Sequence, residues 1–477
     1  MSLTPQTVGR FRARFGDDVA VLHSRLAAGE RYDQWDLVRS GAAHIVVGAR
    51  SALFAPFTDL ALIVIDEEHE SSYKQGSSPR YHARDVAAEM AKRTGATLVL
   101  GSASPSMETL ARCESGEWIR IALPDRVTGR PLPPVTLVDM AAEFADGHRS
   151  MFSRPLTTEL QGVAERGEKA VLFLNRRGYA SFLLCRECGY VPECDSCSTS
   201  LTYHEVGARL VCHHCGATRP VPPVCPRCGS PYLRQFGAGT QRVESELSSL
   251  LPDLPVVRMD ADTTKGKGGH ERALAQFEAL DSGILLGTQM IAKGLDYPEV
   301  TLVGVINADT TLHLPDFRAG ERTYQLLEQV SGRAGRGERQ GKVVVQTYWP
   351  DNPAIQAAAL HKPSVFYQEE EQLRVALRYP PYGRLANVIF WSGDKAAVSA
   401  RANTWARALA EELPDGWSIL GPSPAPISRL KGVWRWHLLV KAPVSARLAP
   451  VLSAVQRGLP ANRTVSHAID IDPVDLL

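Results

Sequence analysis

Three carboxylates and a histidine follow an apolar run in this 477-residue sequence, in the stretch Leu62-Ile-Val-Ile-Asp-Glu-Glu-His69. The apolar residues predict a buried strand of a parallel sheet, and ligands of such sheets bind beyond the carboxyl ends of the strands. An aspartate at that point can hold Mg²⁺ beneath nucleotide phosphates, because Mg²⁺ takes few carboxylates and keeps several waters. We therefore expect Asp66 to hold the ion through water and Glu67 to orient or deprotonate the attacking water. A solvated acidic turn is the alternative that these residues leave open.

Two stretches in the second half of the sequence also suit phosphates. Residues 287–298 follow a predicted strand and place polar side chains among small residues: Thr288, Gln289, Lys293 and Asp296. Arg333 and Arg336 lie three positions apart on a predicted helix, hence on one face. Two guanidiniums with no acid between them need anionic partners; phosphates fit, and an arginine finger is the catalytic use. Local acids are the alternative partners of this basic helix end.

Eight of the nine cysteines form four C-x-x-C pairs: Cys185/Cys188, Cys194/Cys197, Cys212/Cys215 and Cys225/Cys228. Each pair can supply two thiolates to one tetrahedral ion, so the pairs predict two closed Cys₄ zinc sites. Because 14 residues separate Cys197 from Cys212, close to the spacing of zinc ribbons, we expect the inner pairs to share one zinc and the outer pairs the other. Disulfides conflict with a cytosolic chain, and redox catalysis would need one exposed pair. His204, His213 and His214 could compete as ligands, but we expect them to be surface histidines.

Helix-like and strand-like segments alternate through most of the chain, which predicts parallel α/β sheets in two successive units. The predicted strands and helices of the first unit are Val19–Leu22, Glu30–Arg39 (helix), Ile45–Val47, Leu62–Ile65, Ala83–Lys92 (helix) and Leu98–Leu100. The predicted strands of the second unit, which the cysteine-rich insertion interrupts, are Ala170–Leu174, Val256–Met259, Ile284–Leu286, Leu302–Ile306 and Val343–Gln346. After Arg378-Tyr-Pro-Pro-Tyr-Gly383, the order strand, helix, two strands, helix, strand predicts a small α+β domain with helices on one face.

The composition is that of an ordinary globular chain, with 44% hydrophobic residues, 22% charged residues and a net charge of +1. No apolar run approaches the ~20 residues of a membrane span, and residues 1–14 lack the apolar core of a signal peptide. We therefore expect a cytoplasmic protein. Any binding of nucleic acid must use a local patch, because no global basic field attracts it.

The motifs resemble those of superfamily 2 helicases. The matching stretches are Leu3-Thr-Pro-Gln6 (T-P-x), Gly48-Ala-Arg-Ser51 (G-T-R-S), Asp66-Glu-Glu-His69 (the D-E-x-H Walker B box), Gly101-Ser-Ala-Ser-Pro105 (S-A-T, with Ser104 for threonine) and Gln329 to Arg336 (Q-x-x-G-R-x-x-R). The eight-cysteine insertion narrows the resemblance to the replication-restart helicases, the 3′→5′ DNA helicases of the primosome.

The resemblance implies an α/β fold with two RecA-like lobes, the first incomplete, a two-zinc insertion in lobe 2 and a C-terminal α+β domain. The expected bounds are 1–125 for lobe 1, 126–150 for a linker, 151–348 for lobe 2 with its insertion at 183–232, 349–380 for a connecting helical segment and 381–477 for the C-terminal domain. It implies catalytic roles for four residues: Asp66, Glu67, Arg333 and Arg336, with both arginines on the γ-phosphate. It places Asp296 near the ribose of the nucleotide, and Thr288 and Gln289 near DNA phosphate.

An aromatic-rich loop after the Walker B box belongs to the same resemblance and is thought to couple DNA binding to ATP hydrolysis. Tyr73 and Tyr81 offer stacking faces, and Lys74, Arg80 and Arg84 offer charge. Single strands are gripped in this way without readout of sequence. A polar loop with two packed tyrosines is the alternative.

The implied function is ATP-dependent 3′→5′ unwinding at stalled or abandoned forks, together with assembly of the primosome. The implied cofactors are two Zn²⁺ ions and ATP with Mg²⁺. The implied partners are forked, single-stranded and duplex DNA, primosome proteins including the loader of the replicative helicase, and single-strand-binding protein, in a nucleoid-associated setting. A non-hydrolysing, zinc-containing DNA-binding scaffold is the alternative; an unrelated RNA helicase is disfavoured by the cysteine insertion.

One departure from the family pattern is the absence of a P-loop, G-x-x-x-x-G-K-[ST]. Neither Gly266-Lys267 nor Gly341-Lys342 has the flanking residues. The family's N-terminal DNA-binding region is also missing, so we expect a truncated chain rather than a decayed ATPase. Without the phosphate-binding amides and lysine, we expect residues 1–477 alone to show negligible ATPase and weak, salt-dependent, sequence-independent DNA binding.

Overall fold

The computed structural model describes residues 5–23, 26–124, 129, 131–175, 182–197, 199–204, 207–236, 239–260, 263–264, 268–288, 291, 298–335, 337 and 339–476. The chain divides into two compact units, Met1–Ser106 and Met107–Leu477. Among the described residues, no helix combines the length and the apolarity that crossing a bilayer requires.

Unit 1 is built on two pairs of parallel strands, β1 with β2 and β3 with β4. Its helices and strands are α1 (Pro5–Phe15), β1 (Val19–Leu22), α2 (Ala28–Arg39), β2 (Ile45–Gly48), β3 (Leu62–Ile65), α3 (Ala83–Thr94) and β4 (Thr97–Leu100). Short 3₁₀ turns lie at Gly16–Asp18, Arg50–Phe54 and Ser71–Tyr73. The predicted strands and both predicted helices are confirmed to within two residues at each end, whereas the sequence pattern does not predict α1.

Strand β3, which precedes the acidic turn, is packed on one face only in the described part of unit 1. Ile63 and Ile65 are buried in a cluster with residues of α3, whereas Leu62 is 55% and Val64 61% exposed. Successive side chains of a strand point to opposite faces, so the apolar run covers both faces but only one is filled. The prediction of a buried strand is therefore wrong for Leu62 and Val64.

Unit 2 contains a parallel sheet, the cysteine-rich region and a C-terminal sheet. Its helices and strands are α4 (Met107–Glu114), β5 (Val135–Asp139), α5 (Met140–Ala145), α6 (Arg154–Glu165), β6 (Lys169–Leu174), β7 (Leu183–Cys185), β8 (Thr202–His204), β9 (Arg209–Val211), β10 (Thr218–Pro220), β11 (Leu233–Gln235), α7 (Thr240–Leu250), β12 (Val256–Met259), α8 (Gly269–Glu278), β13 (Gly283–Gly287), β14 (Val300–Asn307), α9 (Ala319–Ser331), β15 (Lys342–Thr347), α10 (Pro353–Leu360), α11 (Pro363–Leu377), β16 (Arg384–Ser392), α12 (Lys395–Glu412), β17 (Ser418–Leu430), β18 (Val433–Ala442), α13 (Leu448–Gly458) and β19 (Ser466–Ile471).

The parallel sheet has the strand order β12-β13-β6-β14-β15-β5. Its central strands are apolar along their length because helices cover both faces. Neighbouring residues of β6 show this: Leu172 enters the cluster formed with α6 and α7, and Phe173 enters the cluster formed with α9 and α10. The edge strand β5 pairs with β15, so the stretch predicted as a linker contributes a strand and helix α5 to this unit.

The C-terminal sheet is antiparallel, with the strand order β17-β18-β16-β19. Helices α12 and α13 pack on one face of it, over alternate residues of β16 such as Val388 and Phe390. Val398, Trp405 and Leu409 recur at helical spacing along α12 and fill the same core. The predicted small α+β domain with helices on one face is confirmed.

Candidate nucleotide, nucleic-acid and zinc sites

The acidic turn after β3 places two carboxylates at the carboxyl end of the strand. Asp66 is exposed, and its Oδ1 accepts a hydrogen bond from the Glu67 N–H at 3.0 Å. Glu67 has a φ of +48°, a left-handed conformation that is uncommon for a residue with a side chain and that persists where neighbouring contacts fix it. Two contacts do so here: the Glu68 N–H donates to Gly101 O at 3.0 Å and the Glu70 N–H to Glu67 O at 2.9 Å. An exposed aspartate in this position fits the oxygen ligands that Mg²⁺ prefers.

The next residue, Glu68, has the opposite environment. It is 2% exposed. Its Oε1 accepts the Ser106 N–H at 2.7 Å, and its Oε2 accepts the Ser106 hydroxyl at 3.0 Å and Arg84 Nη1 at 3.2 Å. His69 likewise bonds Ser102 Oγ at 2.7 Å through Nδ1. Glu68 and His69 therefore hold the turn onto the stretch after β4, a role that the sequence pattern does not assign to Glu68.

Arg50, in the Gly48-Ala-Arg-Ser51 motif, organises the predicted aromatic-rich loop from beneath. Its Nη1 donates to Ser72 O at 2.8 Å and Lys74 O at 2.5 Å, and its guanidinium lies 5.6 Å from the Tyr81 ring centre. A Cβ at Gly48 would lie 2.4 Å from Leu22 O, so the chain can approach β1 there only as glycine. The match of residues 48–51 to a helicase motif pointed to Arg50 as a residue of interest, but the sequence alone does not say what its side chain binds.

Two of the five loop residues that we predicted to bind DNA are buried, which contradicts the prediction for them. Tyr73 is 9% exposed and donates its hydroxyl to Asp66 O at 2.7 Å, so its ring does not offer a stacking face in this structure. Arg84 is 6% exposed, and its guanidinium is paired with Glu68. Burial follows from their positions, because Arg84 lies in the first turn of α3 and Tyr73 in the core under β3.

The other three proposed loop residues lie nearer the surface. Lys74 and Arg80 are half-buried, and Arg80 donates to Gly76 O. Tyr81 is half-buried and meets Phe54 edge-on, with 5.2 Å between the ring centres. Their contribution to DNA binding stays a prediction.

In unit 2 the described candidates are Thr288 and Arg333. Thr288 directly follows β13 and is half-buried. Arg333 lies in the turn after α9, which ends at Ser331, so the prediction that it lies on a helix is wrong; its N–H donates to Val330 O at 3.0 Å. Gln289, Asp296 and Arg336 lie outside the described residues, so their roles stay predictions.

The structure brings the eight paired cysteines into two groups of four. Cys185, Cys188, Cys225 and Cys228 form one group and Cys194, Cys197, Cys212 and Cys215 the other, and within each group all sulfurs lie within 4.8 Å of one another. This is the nested grouping that the spacing predicts. Three of the sulfur pairs are separated by 3.6 to 3.7 Å, and four thiolates at about 2.3 Å from one zinc would lie about 3.8 Å apart. The two groups therefore fit zinc, and four thiolates leave no open position on the ion.

Glycines after the second cysteine close three of the four knuckles. Gly189, Gly216 and Gly229 have φ of +70° to +80°, and each donates its N–H to the carbonyl of the first cysteine of its pair at 2.8 to 2.9 Å. A left-handed residue ends such a tight turn without strain only when it is glycine.

Two of the three histidines beside these cysteines are buried, so the prediction that they lie at the surface is wrong for those two. His213 is 1% and His214 5% exposed. His213 joins the second cysteine group to the C-terminal sheet: its Nδ1 donates to Pro424 O at 2.7 Å, and its carbonyl accepts His437 Nε2 at 2.7 Å. Burial lowers the pKa of His213 to about 3 and that of His437 to about 4, so both rings are neutral at physiological pH. The sequence carries no signal for contacts across more than 200 residues.

Four families of known proteins match separate parts of the chain. A family described as DEAD/DEAH box helicase matches residues 1–113, and one described as helicase conserved C-terminal domain matches residues 235–338. Together with the parallel sheet, these matches define a helicase core of the DEAD/DEAH class. Two narrower families also match: the PriA DNA helicase Cys-rich region (CRR) domain at residues 194–220 and the primosomal protein N C-terminal domain at residues 375–474.

Similarity to known proteins along the whole of this chain identifies its family. Replication restart protein PriA of Treponema pallidum (strain Nichols) is 37% identical over 478 residues, which cover 100% of this chain and 72% of that protein. The proteins of that name from Bacillus subtilis (strain 168) and Synechocystis are 50% and 45% identical, over 99% and 100% of this chain. The chain belongs to the family of replication restart protein PriA. It spans 59% of the Bacillus protein and 58% of the Synechocystis protein.

Proposed function

We propose that the protein is an ATP-dependent 3′→5′ DNA helicase that acts at stalled or abandoned replication forks and directs assembly of the primosome. The observation that carries the proposal is the pair of carboxylates at the carboxyl end of β3, exposed Asp66 and half-buried Glu67, in a chain of this family. The left-handed conformation of Glu67 is of the kind that clusters at active sites.

The residues of unit 1 would handle the metal and the water. Asp66 would hold Mg²⁺, which when bound neutralises charge on the nucleotide phosphates. Glu67, whose side chain is 32% exposed, would orient the attacking water and accept its proton. A positioned base of this kind contributes about 10²- to 10⁴-fold in rate. Tyr73 and Glu68 would keep the turn in place through the hydrogen bonds described above.

The candidate residues of unit 2 would contact the γ-phosphate and the ribose. Arg333, at the end of α9, would stabilise the charge that develops on the γ-phosphate, and Arg336 would do so beside it. Asp296 would contact the ribose. These three assignments are supported by the family pattern and by the position of Arg333 after a buried helix.

DNA would be bound chiefly through its phosphates, without readout of sequence. Lys74, Arg80 and Tyr81 are the loop residues near enough to the surface to contribute, and Thr288 and Gln289 would contact the backbone of the strand. The whole protein would work in the nucleoid, with primosome proteins, the loader of the replicative helicase and single-strand-binding protein as its partners. Both zinc ions would be structural, because closed Cys₄ sites cannot bind substrate.

Unwinding of a labelled fork by the complete gene product tests the proposal. With ATP and Mg²⁺, strand separation should proceed from a 3′ single-stranded arm and should stop when a non-hydrolysable nucleotide replaces ATP. Asp66→Asn should abolish unwinding, whereas Asp59→Asn, which removes an exposed acid elsewhere in unit 1, should leave it unchanged. Fork binding without any unwinding by the wild-type protein would instead support the non-hydrolysing scaffold.

A further inference from the structure

A group of five charged side chains lies largely buried where α4, α9 and α11 meet: Glu108, Arg318, Glu321, Glu370 and Arg374. Arg374 is 1% exposed and uses its whole guanidinium. Its Nη2 donates to Glu321 Oε2 at 2.6 Å, its Nε to Glu370 Oε1 at 2.7 Å and its Nη1 to Pro380 O at 3.0 Å. This one residue therefore ties α9 to α11 and to the segment that enters the C-terminal domain.

Glu321 is the member that touches the most elements. Besides Arg374, it accepts Arg318 Nη1 at 3.3 Å, and its Oε1 accepts the N–H of Met107 at 2.9 Å. Met107 is the first residue of α4, so this bond satisfies an amide that the helix itself leaves unpaired. Arg318 closes the link by donating Nη2 to Glu108 Oε1, on α4, at 2.6 Å.

The group is costly as a means of stabilisation. Taking charges out of water carries a penalty of several kcal/mol per ion, and apolar side chains of similar size often stabilise a fold as well or better. Burial acts to raise the pKa of Glu321, but its arginine partners, Arg374 foremost, outweigh burial and lower that pKa, so the carboxylate stays ionised. These directional hydrogen bonds instead fix the register between the helices, because each bond is favourable in only one geometry.

The helix held in this way is the one that leads to the arginines of the proposed nucleotide site. Glu321 lies in the first turn of α9, and Arg333 follows the end of that helix. From Glu321 to its end at Ser331 the helix rises about 15 Å, and Tyr324, Leu327 and Val330 anchor its length in the core. A helix packed along its length moves as a unit, so a shift at Glu321 moves Arg333.

The amide bonded to Glu321 has a neighbour with a similar bond. In unit 1 the Ser106 N–H donates to Glu68, and in unit 2 the N–H of the following residue, Met107, donates to Glu321. Glu68 belongs to the acidic turn that contains Asp66 and Glu67. Each of these two N–H groups is bonded to a buried carboxylate of its own unit.

We propose that Glu321 is a positioning residue for ATP hydrolysis: by bonding the Met107 amide, Arg318 and Arg374, it sets the register of α9 and so the placement of Arg333. The inference rests on the proposed nucleotide chemistry, because Glu321 itself contacts no nucleotide and acts through Arg333.

Steady-state ATP hydrolysis by the complete gene product, with DNA present, tests the proposal. Glu321→Gln should lower kcat about tenfold or more while KM for ATP changes less than about threefold, because only placement in the transition state is lost. Glu370→Gln is the matched control: it also removes a carboxylate from Arg374, but in the described structure Glu370 bonds neither α4 nor α9, and kcat should stay within about twofold of wild type.

A double mutant separates positioning from general loss of stability. If Glu321 acts through Arg333, then Glu321→Gln combined with Arg333→Ala should have the kcat of Arg333→Ala alone, since coupled residues are not additive. Independent, multiplicative losses would overturn the inference, as would a kcat of Glu321→Gln no lower than that of Glu370→Gln.

A milder variant keeps the test decisive if Glu321→Gln does not fold. Arg318→Lys keeps the charge but cannot bond Glu108 and Glu321 together in the way a planar guanidinium does, and it should lower kcat with little change in KM. Normal turnover by Arg318→Lys would then overturn the inference. A wild-type protein that hydrolyses no ATP would instead refute the proposed function and the inference with it, an outcome distinct from normal turnover in the variants.

Discussion

The acidic turn after β3 and the cysteine-rich region are both candidate metal sites, but they differ in how much the protein encloses them. The turn presents Asp66 at the surface beside a half-buried Glu67, so substrate and water can reach the carboxylates. In the cysteine groups, four sulfurs surround one point and each group has two buried members. A metal in the turn can take part in a reaction, whereas a metal among four thiolates can only hold the chain in place.

The same contrast recurs between neighbouring residues. Glu67 is accessible, whereas Glu68 is buried and accepts bonds from Ser106 and Arg84. The environment of each carboxylate, and not its residue type, separates a group that can do chemistry from one that holds the group in place.

Replacing one of the zinc-binding cysteines should have the largest effect on the folded structure. Cys194→Ser should reduce the zinc content from two ions per chain to one, and the cysteine region should lose protection from hydrogen exchange, because zinc binding supplies about 10 kcal/mol or more to such modules. The parallel sheet of unit 2 should remain protected. Elemental analysis with hydrogen exchange measures both. Cys113→Ser, which changes the cysteine outside the groups, is the control, and two zinc ions in Cys194→Ser would contradict the grouping.

Glu68→Gln should destabilise unit 1 by about 3–5 kcal/mol, because it removes the buried carboxylate that pairs with Arg84 and leaves that guanidinium only the exposed Asp85, 3.7 Å from its Nε. Denaturant unfolding of the 477-residue chain measures the loss. Glu67→Gln provides the comparison within the same turn and should change the free energy of unfolding by less than about 1 kcal/mol. Equal losses of unfolding free energy in the two variants would show that Glu68 is no more important to stability than Glu67, which would contradict its structural role.

A second buried acid, Asp309, has neutral hydrogen-bond donors where Glu68 has the guanidinium of Arg84. Asp309 is fully buried and accepts bonds from neutral donors, the Thr347 hydroxyl at 2.6 Å and the Tyr348 N–H at 2.9 Å. Burial raises the pKa of Asp309 to about 6. Because the folded-state pKa lies above that of the unfolded chain, its contribution to stability is full below pH ~4 and is lost as the pH rises through about 6.

The size of that contribution is up to about 3 kcal/mol. Unfolding measured from pH 4.5 to 7.5 should show a fall in stability for wild type that Asp309→Asn flattens. A pH dependence identical in Asp309→Asn and wild type would contradict the assignment.

The smallest effects belong to the surface loop. Lys74→Ala and Arg80→Ala should each weaken binding of single-stranded DNA modestly and reduce the slope of log affinity against log salt by about 1. Lys92→Ala, on the exposed part of α3, should leave the slope unchanged. If all three variants share the wild-type slope, the loop does not contact phosphate.

Local patterns in the sequence predicted much of the fold, and long-range contacts account for what they missed. Apolar runs located β3 and β14, and the C-x-x-C spacing grouped the cysteines, because both signals lie within a few residues. The exposure of Val64 depends on what covers a sheet face, and the burial of Arg84 depends on Glu68, 16 positions away. The bond of Glu321 to Arg374 spans 53 positions, with no pattern in either neighbourhood to announce it.

The measurement that tests the role of Glu67 most directly is DNA-dependent ATP hydrolysis by the complete gene product carrying Glu67→Gln. We expect a loss of about 10²- to 10⁴-fold in kcat, with the thermal stability of wild type retained, because Glu67 is the reactive acid of the turn. Turnover close to that of wild type in a folded Glu67→Gln protein would contradict it.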